Sequence, residues 1–331
     1  MEQVARRKRN NTADGMSKAS LSKQYGGDHA EGWIGHLPPA WIPYIQLCRL
    51  SPPAAFFLIY FPHLFGILHA ATTHGLPAHD VLRTSLILAG GSFFYSNACH
   101  AWNDLVDAPI DKLVARTCSR PIPRGAITPA AAFLFTCTQA VAAAAFLLLL
   151  PARTALVTIP TIVTMTYYPY AKRHTHFPQL VLGFCLTWAI MVGSSALGVP
   201  EPWTDPSAVC LLLAATLWVV IFDTIYAHQD VADDRKIGVK STAALFGSSS
   251  RLFLGVLFLS MVGLLSGCGY YGNLGLPFYC VTVGGCVLAV GGMVFLVDLK
   301  NSASCWVWFS QGFWLAGGAI SGGLLLECLL Q

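Results

Sequence analysis

The feature that most constrains this chain is a series of apolar runs, each about 20 residues long. Two of the clearest lie at 129–150 and 305–330. A helix of roughly 20 residues crosses the ~30 Å hydrocarbon core of a bilayer, so these runs predict membrane-spanning helices. Hydrophobic residues make up 55% of the chain and charged residues only 11%, whereas soluble domains carry about 25% charge. The sequence therefore predicts an all-α polytopic membrane protein and excludes a nucleic-acid binder, a disulfide scaffold and a soluble nucleotide-binding enzyme.

Nine apolar segments define the predicted domain organisation. We place them at 45–70, 83–106, 129–150, 154–171, 177–198, 207–228, 252–271, 275–297 and 305–329. Residues 1–40 are polar and contain Gly, Ser and basic residues, so we predict a disordered tail there and one intramembrane domain over 41–331. The tail has no apolar core and carries Glu2 and Asp14, which argues against a secretory signal and a transit peptide.

The distribution of basic residues predicts the orientation in the membrane. With the tail in the cytosol and nine alternating spans, all but two of the 20 Lys and Arg residues fall on the cytosolic side. The two exceptions are Arg83 and Arg153. Cytosolic loops of membrane proteins are enriched in Lys and Arg, so this division supports nine spans with the N-terminus inside. Without a transit peptide, we expect the endoplasmic reticulum rather than the mitochondrion.

Seven of the 16 acidic residues lie in two short stretches at the predicted cytosolic ends of spans two and six. These residues are Asp104, Asp107, Asp111, Asp223, Asp230, Asp233 and Asp234. Within the first stretch, Asn103, Asp107 and Asp111 recur every four residues, a spacing that places them on one face of a continuing helix. Tyr226, Asp230 and Asp234 repeat this spacing in the second stretch. Pro109 predicts that the helix breaks just before Asp111.

The composition of these stretches indicates a site for a metal and a diphosphate. Carboxylate and amide oxygens suit a hard cation such as Mg²⁺, which usually also keeps water and bridges to substrate phosphates. Basic residues follow each stretch, at 116–120 and at 235–240. Acids that hold a metal, beside cations that hold phosphate oxygens, are typical of a diphosphate site. The alternative is that these acids and bases only pair with each other in cytosolic loops.

These motifs resemble those of the UbiA superfamily of intramembrane prenyltransferases. The matching elements are Asn-Asp-x-x-Asp-x-x-x-Asp at 103–111, Arg-Thr-x-x-Arg-Pro at 116–121, Tyr-x-x-x-Lys at 168–172, Tyr-x-x-x-Asp-x-x-x-Asp at 226–234 and Gly-x-Lys-Ser-Thr at 238–242. Within the superfamily, the stretch from Tyr25 to Gly66 looks like that of fungal meroterpenoid-pathway polyprenyl transferases. The resemblance covers the chain from about residue 41 onward and implies a UbiA-type helical bundle.

The resemblance also implies an activity, which is Mg²⁺-dependent transfer of a farnesyl or geranylgeranyl group from its diphosphate to an aromatic or α-pyrone polyketide acceptor. The implied metal ligands are Asn103, Asp107, Asp111, Asp230 and Asp234. The implied diphosphate-binding residues are Arg116, Arg120, Lys172 and Lys240. The implied catalytic residues are Tyr168, Tyr226 and Lys172. The candidates for contact with the acceptor are Arg49 and Asp223. The expected partners are the two substrates and the lipid bilayer, with no nucleic acid.

Two departures concern the acceptor. Ubiquinone-pathway relatives usually carry Asp-Lys-Pro-Ile-Gly after the arginine that corresponds to Arg49, where this chain has Ser-Pro-Pro at 51–53. They also carry an arginine seven residues before the motif asparagine, and this chain has Ser96 there. Both departures argue against 4-hydroxybenzoate as the acceptor, although its polyprenylation in ubiquinone biosynthesis stays the alternative function.

Two further classes are weaker alternatives. A membrane transporter is disfavoured because the acids cluster at one membrane face rather than at the midplane. A membrane phosphotransferase acting on nucleotide-activated alcohols is disfavoured because the chain lacks that family's Asp-Gly and Ala-Arg pairs.

Overall fold

The computed structural model describes residues 24–330, and over these residues it contains helices, turns and loops but no strand. The α-helices in chain order are α1 (Ile42–Leu47), α2 (Ala54–His74), α3 (Ala78–Asp111), α4 (Pro129–Leu147), α5 (Ala152–His174), α6 (Pro178–Thr187), α7 (Ala189–Ala196), α8 (Pro206–Ala227), α9 (Val231–Ile237), α10 (Thr242–Phe246), α11 (Ser250–Tyr271), α12 (Gly284–Leu296) and α13 (Ser302–Leu330). The predicted all-α fold is confirmed.

Each of the nine predicted apolar segments falls largely on helical residues. In the described part of the chain, seven helical stretches are long and apolar enough to cross a membrane. They are α2, α4, α6 with α7, α8, α10 with α11, α12 with the π-helical turn Phe278–Val283 before it, and α13. The remaining two, α3 and α5, are 34 and 23 residues long but contain many polar and charged side chains. The count of nine spans therefore stays a prediction.

Short polar signals begin and end the long helices. The Thr128 side chain accepts a hydrogen bond from the Ala131 N–H and starts α4, and Asp205 does the same for Ser207 at the start of α8. A proline follows each of these residues at the first helical position, where no N–H partner is needed. Gly75 caps the end of α2, and its φ of 61° is the left-handed conformation that glycine adopts without strain.

Close helix packing holds the centre of the molecule. A Cβ atom at Gly66 in α2 would lie 2.0 Å from the Ile190 carbonyl oxygen, and one at Gly193 in α7 would lie 2.3 Å from the His63 carbonyl oxygen. Only glycine allows the two backbones to approach this closely, as is common between helices in lipid. Nearby, the buried rings of Trp218 and Phe313 stack with centroids 5.6 Å apart.

Arg83 and Arg153, the two basic residues that the sequence sets apart, lie at one end of the helices. Arg153 pairs with Glu201 at 3.1 Å, and Arg83 donates to the Leu149 carbonyl oxygen at 3.1 Å. These contacts join the start of α3 to the end of α4 and the start of α5 to the start of α8. The ends of α3 and α8 that carry the acidic stretches, and the end of α5 that carries Lys172, lie at the opposite end. Which end faces the cytosol stays a prediction.

The structure corrects two expectations about helix breaks. Pro109 does not end α3 before Asp111, because the helix runs to Asp111 and the Lys112 N–H still donates to the Ala108 carbonyl. A proline in the last turn removes only one of the final backbone hydrogen bonds. In the second stretch the helix does break, since α8 ends at Ala227 and α9 begins at Val231.

Part of the predicted tail belongs to the packed structure. Residues 1–23 lie outside the described residues, so the prediction of disorder there is not tested. Over 24–40, however, Tyr25 is 8% exposed and Ile34 is 1% exposed. The prediction of a disordered tail is wrong for this part, because these apolar side chains pack against the helices.

Candidate active site

One cavity of about 200 Å³ brings the two acidic stretches together. It lies between α2, α3, α5, α6, α8 and α13. Its polar wall contains Asn103, Asp111, Arg116, Arg120, Lys172, Asp230, Asp234 and Lys240. Its apolar wall contains Leu58, Ile59, Met165, Leu186, Phe222 and Phe309. The cavity therefore has one charged side and one hydrocarbon side, which is the division that an amphipathic ligand requires.

The three carboxylates in the acidic stretch of α3 are buried, and each is held by a basic side chain. Lys172 from α5 donates to Asp107 Oδ2 at 2.5 Å, and Arg120 donates to Asp111 Oδ2 at 2.9 Å. Asp104 accepts from Arg49 at 2.6 Å and from Arg120 at 3.2 Å. These charge-assisted hydrogen bonds offset the cost of removing the ions from water. Asp104 faces these guanidinium groups rather than the cavity.

The second stretch meets the first through Arg116. Its guanidinium contacts both carboxylate oxygens of Asp230, with the shortest distance at 2.5 Å, and donates to the Tyr226 hydroxyl at 2.7 Å. It also lies 4.8 Å from the centre of the Tyr226 ring. A planar guanidinium suits such bidentate contact. The loop after α3 is thereby fixed to the end of α8, so the acids of both stretches border one space.

Asp234 lies close to a second negative charge at the end of the second stretch. Burial and then the negative charge of Asp230 raise the pKa of Asp234 to about 7. When burial and a like charge raise the pKa of a carboxyl group, a nearby cation stabilises its ionised form. A positive ligand at this position would therefore bind in competition with a proton.

The oxygen atoms at the site fit a hard divalent cation. Asn103 Oδ1 and Asp107 Oδ1 are buried and have no hydrogen-bond partner among the described residues. An unpaired buried oxygen costs about 1–3 kcal/mol, which a bound cation would offset. Among residues 24–330, no group of three or more His, Cys, Asp or Glu side chains is arranged to hold a metal unaided. This agrees with the coordination of Mg²⁺ in proteins, where water and substrate phosphates usually provide some of the ligands.

The structure gathers the residues that the sequence singles out. All of the predicted metal, diphosphate, catalytic and acceptor residues line the cavity except Asp107, which lies behind Lys172. The Lys172 ammonium is 5.9 Å from the centre of the Tyr168 ring. Lys240 donates to the His174 carbonyl oxygen at 3.3 Å, so its charge is not neutralised by a carboxylate there. The individual roles of these residues stay predictions.

Sequence reasoning missed three contributors to this region. Tyr25 and His100 line the cavity, and Asp104 holds two of its guanidinium groups together. Tyr25 falls in a polar segment without periodicity, and His100 resembles an ordinary packed histidine in an apolar helix. For Asp104 the available signal is its position one residue after Asn103. This position lies outside the series Asn103, Asp107 and Asp111, so the side chain points away from the shared face.

Comparison with known proteins assigns the chain to a family. The model of the UbiA prenyltransferase family matches residues 59–317. The chain belongs to the UbiA prenyltransferase family. The resemblance seen in the sequence motifs is thereby confirmed, and the protein is a prenyltransferase.

Three relatives of this prenyltransferase cover most of its length. It is 35% identical to prenyltransferase stbC of Stachybotrys bisbyi, over 88% of this chain and 90% of the relative. It is 36% identical to DMOA farnesyltransferase nvfB of Aspergillus novofumigatus, over 79% of this chain and 84% of that relative. It is 34% identical to the mitochondrial 4-hydroxybenzoate polyprenyltransferase of Saccharomyces cerevisiae, over 84% of this chain and 74% of that relative.

Solved structures share the fold of this prenyltransferase. The apo structure of a UbiA homolog from Aeropyrum pernix has a TM-score of 0.70 at 23% identity, covering 81% of this chain and 97% of the homolog. A UbiA homolog from Archaeoglobus fulgidus bound to GPP and Mg²⁺ has a TM-score of 0.59 at 16% identity, covering 83% and 99%. The UbiA-type helical bundle is confirmed, and with its apolar helices the protein is an integral membrane protein.

Proposed function

We propose that this prenyltransferase moves a farnesyl or geranylgeranyl group from its diphosphate to a phenolic or α-pyrone polyketide, with Mg²⁺ as cofactor, in meroterpenoid biosynthesis. The observation that carries the proposal is the single cavity in which both acidic stretches and several basic residues border an apolar wall. A prenyl diphosphate has the same division, with a highly charged head on a hydrocarbon chain.

The charged wall provides the chemistry that departure of diphosphate needs. Arg116, Arg120 and Lys172 would turn from carboxylates toward phosphate oxygens, and Lys240 supplies a charge that has no carboxylate partner within residues 24–330. Asn103, Asp107, Asp111, Asp230 and Asp234 would hold Mg²⁺, which neutralises the diphosphate and makes it a better leaving group. The Tyr168 ring lies near the Lys172 ammonium and the Tyr226 ring near the Arg116 guanidinium. In these positions the two rings would face the allylic carbon as it becomes positive.

The relatives support both the donor and the cofactor. The Aspergillus relative is named as a farnesyltransferase, and the homolog from Archaeoglobus fulgidus is bound to GPP and Mg²⁺. The buried oxygens of Asn103 and Asp107 that lack partners among the described residues support the same cofactor independently.

The acceptor proposal rests on position 96. Ser96 is buried, and its backbone oxygen accepts a hydrogen bond from His100 Nδ1 at 2.7 Å. A serine cannot pair with a carboxylate as a guanidinium does. The yeast relative named for 4-hydroxybenzoate is about as similar as the fungal prenyltransferases, so overall identity does not choose between the two acceptors and the residue at 96 carries the distinction.

The proposed function is tested with a panel of acceptors. Purified enzyme with Mg²⁺ and either farnesyl or geranylgeranyl diphosphate is incubated with 4-hydroxybenzoate, an orsellinate-type acid or a hydroxy-α-pyrone, and products are identified by mass spectrometry. We expect kcat/KM for 4-hydroxybenzoate to be about tenfold to a hundredfold lower than for the best polyketide, since a charge-assisted pair is worth roughly 1.5–3 kcal/mol. A preference for 4-hydroxybenzoate would instead favour the ubiquinone-pathway function. Failure to consume either diphosphate in the presence of Mg²⁺ would contradict the proposed farnesyl or geranylgeranyl donor.

We propose that the charged end of the bundle faces the cytosol from the endoplasmic reticulum. Cys118 is exposed in the loop after α3 and thus reports on this end, while Glu201 lies at the other. In sealed microsomes, a membrane-impermeant maleimide should modify Cys118 and spare a cysteine introduced as Glu201→Cys in a Cys118→Ser background. Other exposed cysteines are replaced by serine in both proteins. Modification of the cysteine at 201 alone would reverse the topology.

A further inference from the structure

Residues 24–29, here called the strap, precede α1 and contribute one side chain, Tyr25, to the cavity wall. Within the strap the Gly27 N–H donates to the Gln24 carbonyl oxygen at 2.9 Å and forms a turn. The Gln46 side-chain amide of α1 donates to the Asp28 and His29 carbonyl oxygens at 2.9 and 2.8 Å. The strap is therefore fixed by its backbone to a residue that does not line the cavity.

The turn directs one side chain, Tyr25, into the cavity wall. Its ring lies 4.9 Å from the Arg49 guanidinium and 6.4 Å, edge to face, from both Tyr226 and Phe309. Tyr226 is the ring that contacts Arg116 beside the charged wall. Tyr25 thus stands at the junction between the charged and apolar sides, where the carbon that loses diphosphate must lie.

A hydrogen bond to α3 latches Tyr25 in this position. His100 Nδ1–H donates to the Ser96 carbonyl oxygen at 2.7 Å, which leaves Nε2 as an acceptor, and the Tyr25 hydroxyl donates to it. Burial raises the pKa of Tyr25 above its usual range, so the hydroxyl keeps the proton that it donates.

The neighbouring residues are shaped for the strap. Gly26 has a φ of +78°, and a Cβ atom there would lie 2.8 Å from Arg49 Nε. Arg49 itself is 3% exposed and has a φ of 52°. A positive φ is uncommon for a residue other than glycine, and such backbone conformations occur at functional sites. The close contact of Gly26 with Arg49 shows that the turn is fitted to this surface.

We propose that Tyr25, latched to His100, is a positioning residue that closes the cavity over the reacting carbon and keeps water from it. The proposal rests on the proposed function. When the C1–O bond of the donor breaks and diphosphate leaves with the electron pair, the allylic carbon can bond to an acceptor carbon or to water. Reaction with water forms a C1–O bond and releases one proton, so the product is a prenyl alcohol. A closed site excludes that side reaction.

The test measures this side reaction in two variants of the strap. Tyr25→Phe keeps the ring and removes the latch. Gln46→Ala removes the backbone anchor, together with the hydrogen bond that Gln46 Oε1 accepts from Arg124, at a residue that does not line the cavity. Purified enzyme is incubated with Mg²⁺ and farnesyl or geranylgeranyl diphosphate, without an acceptor, and the prenyl alcohol is quantified. We expect each variant to form alcohol about fivefold faster than the wild type. Loss of one hydrogen bond raises the fraction of molecules with the strap open by about this factor.

Matched controls separate closure from general damage. Tyr60→Phe removes a hydroxyl that donates to the Ser85 carbonyl oxygen, and Gln139→Ala removes an amide that pairs with Asn97; neither residue lines the cavity. Both should form alcohol at the wild-type rate. A damaged active site lowers the release of diphosphate, whereas an open strap raises alcohol formation. A wild-type rate of alcohol formation, or a lower one, in either strap variant overturns the proposal.

The two proposals fail differently. If the wild type with acceptor and Mg²⁺ releases no diphosphate from any prenyl donor, the proposed function is wrong. If the wild type prenylates an acceptor and either strap variant forms no extra alcohol, only the role of Tyr25 is wrong.

Discussion

Replacing Asp107 or Asp230 by asparagine should lower kcat by more than about a hundredfold, as removal of one transition-state contact commonly does. Each carboxylate is central to its stretch, and Asp107 also has an oxygen without a partner among the described residues. Asparagine preserves the shape of the side chain and removes the charge that the metal requires. The measurement is diphosphate release at saturating donor over a range of Mg²⁺ concentrations.

Asp233→Asn is the matched control for this experiment. Asp233 belongs to the second stretch, but its partners are the exposed Lys236 at 3.0 Å and the Ala115 N–H at 3.3 Å, both of which asparagine can still contact. We expect its kcat to stay within about twofold of the wild type, since exposed pairs contribute about 1 kcal/mol or less. Near-normal activity of Asp107→Asn or Asp230→Asn at ordinary Mg²⁺ would refute the assignment of that residue as a metal ligand.

Asp104→Asn should instead destabilise the protein by about 3–5 kcal/mol, the usual effect of removing one partner from a buried ion pair. Asp104 is 1% exposed and accepts from both Arg49 and Arg120. Its loss would leave Arg120 with Asp111 alone and Arg49 without a carboxylate partner among the described residues. The free energy of unfolding is measured by denaturant titration in micelles.

The control for stability is Glu201→Gln, which breaks the exposed pair with Arg153 and should cost less than about 1 kcal/mol. If Asp104→Asn unfolds like the wild type but needs more Mg²⁺ for activity, then Asp104 binds the metal and does not serve mainly to hold the guanidinium groups.

The apolar runs and the spacing of the acids predict much of this molecule. Run length and composition suffice for an all-α membrane fold, because a bilayer requires helices of a certain length and little charge. The four-residue spacing of Asn103, Asp107 and Asp111 also predicts their shared face correctly, since α3 continues through Pro109.

What spacing cannot predict is which residues meet across the fold. Arg116 and Asp230 are 114 positions apart, and no local pattern indicates that they pair. The break between α8 and α9 falls at residues without glycine or proline, so nothing in the sequence marks it. Tyr25 is the clearest case, because its burial depends on His100 and Arg49, which other elements supply.

The pairing of acids with bases throughout the charged wall links the two ligands thermodynamically. Asp107, Asp111 and Asp230 are each held by Lys or Arg, so a metal that takes the paired oxygen of one of these carboxylates would displace a basic side chain. The released side chain then needs a new anion, which the diphosphate supplies. Each ligand therefore removes an obstacle to the other, and by reciprocity Mg²⁺ raises the affinity for the donor by the same factor as the donor raises the affinity for Mg²⁺.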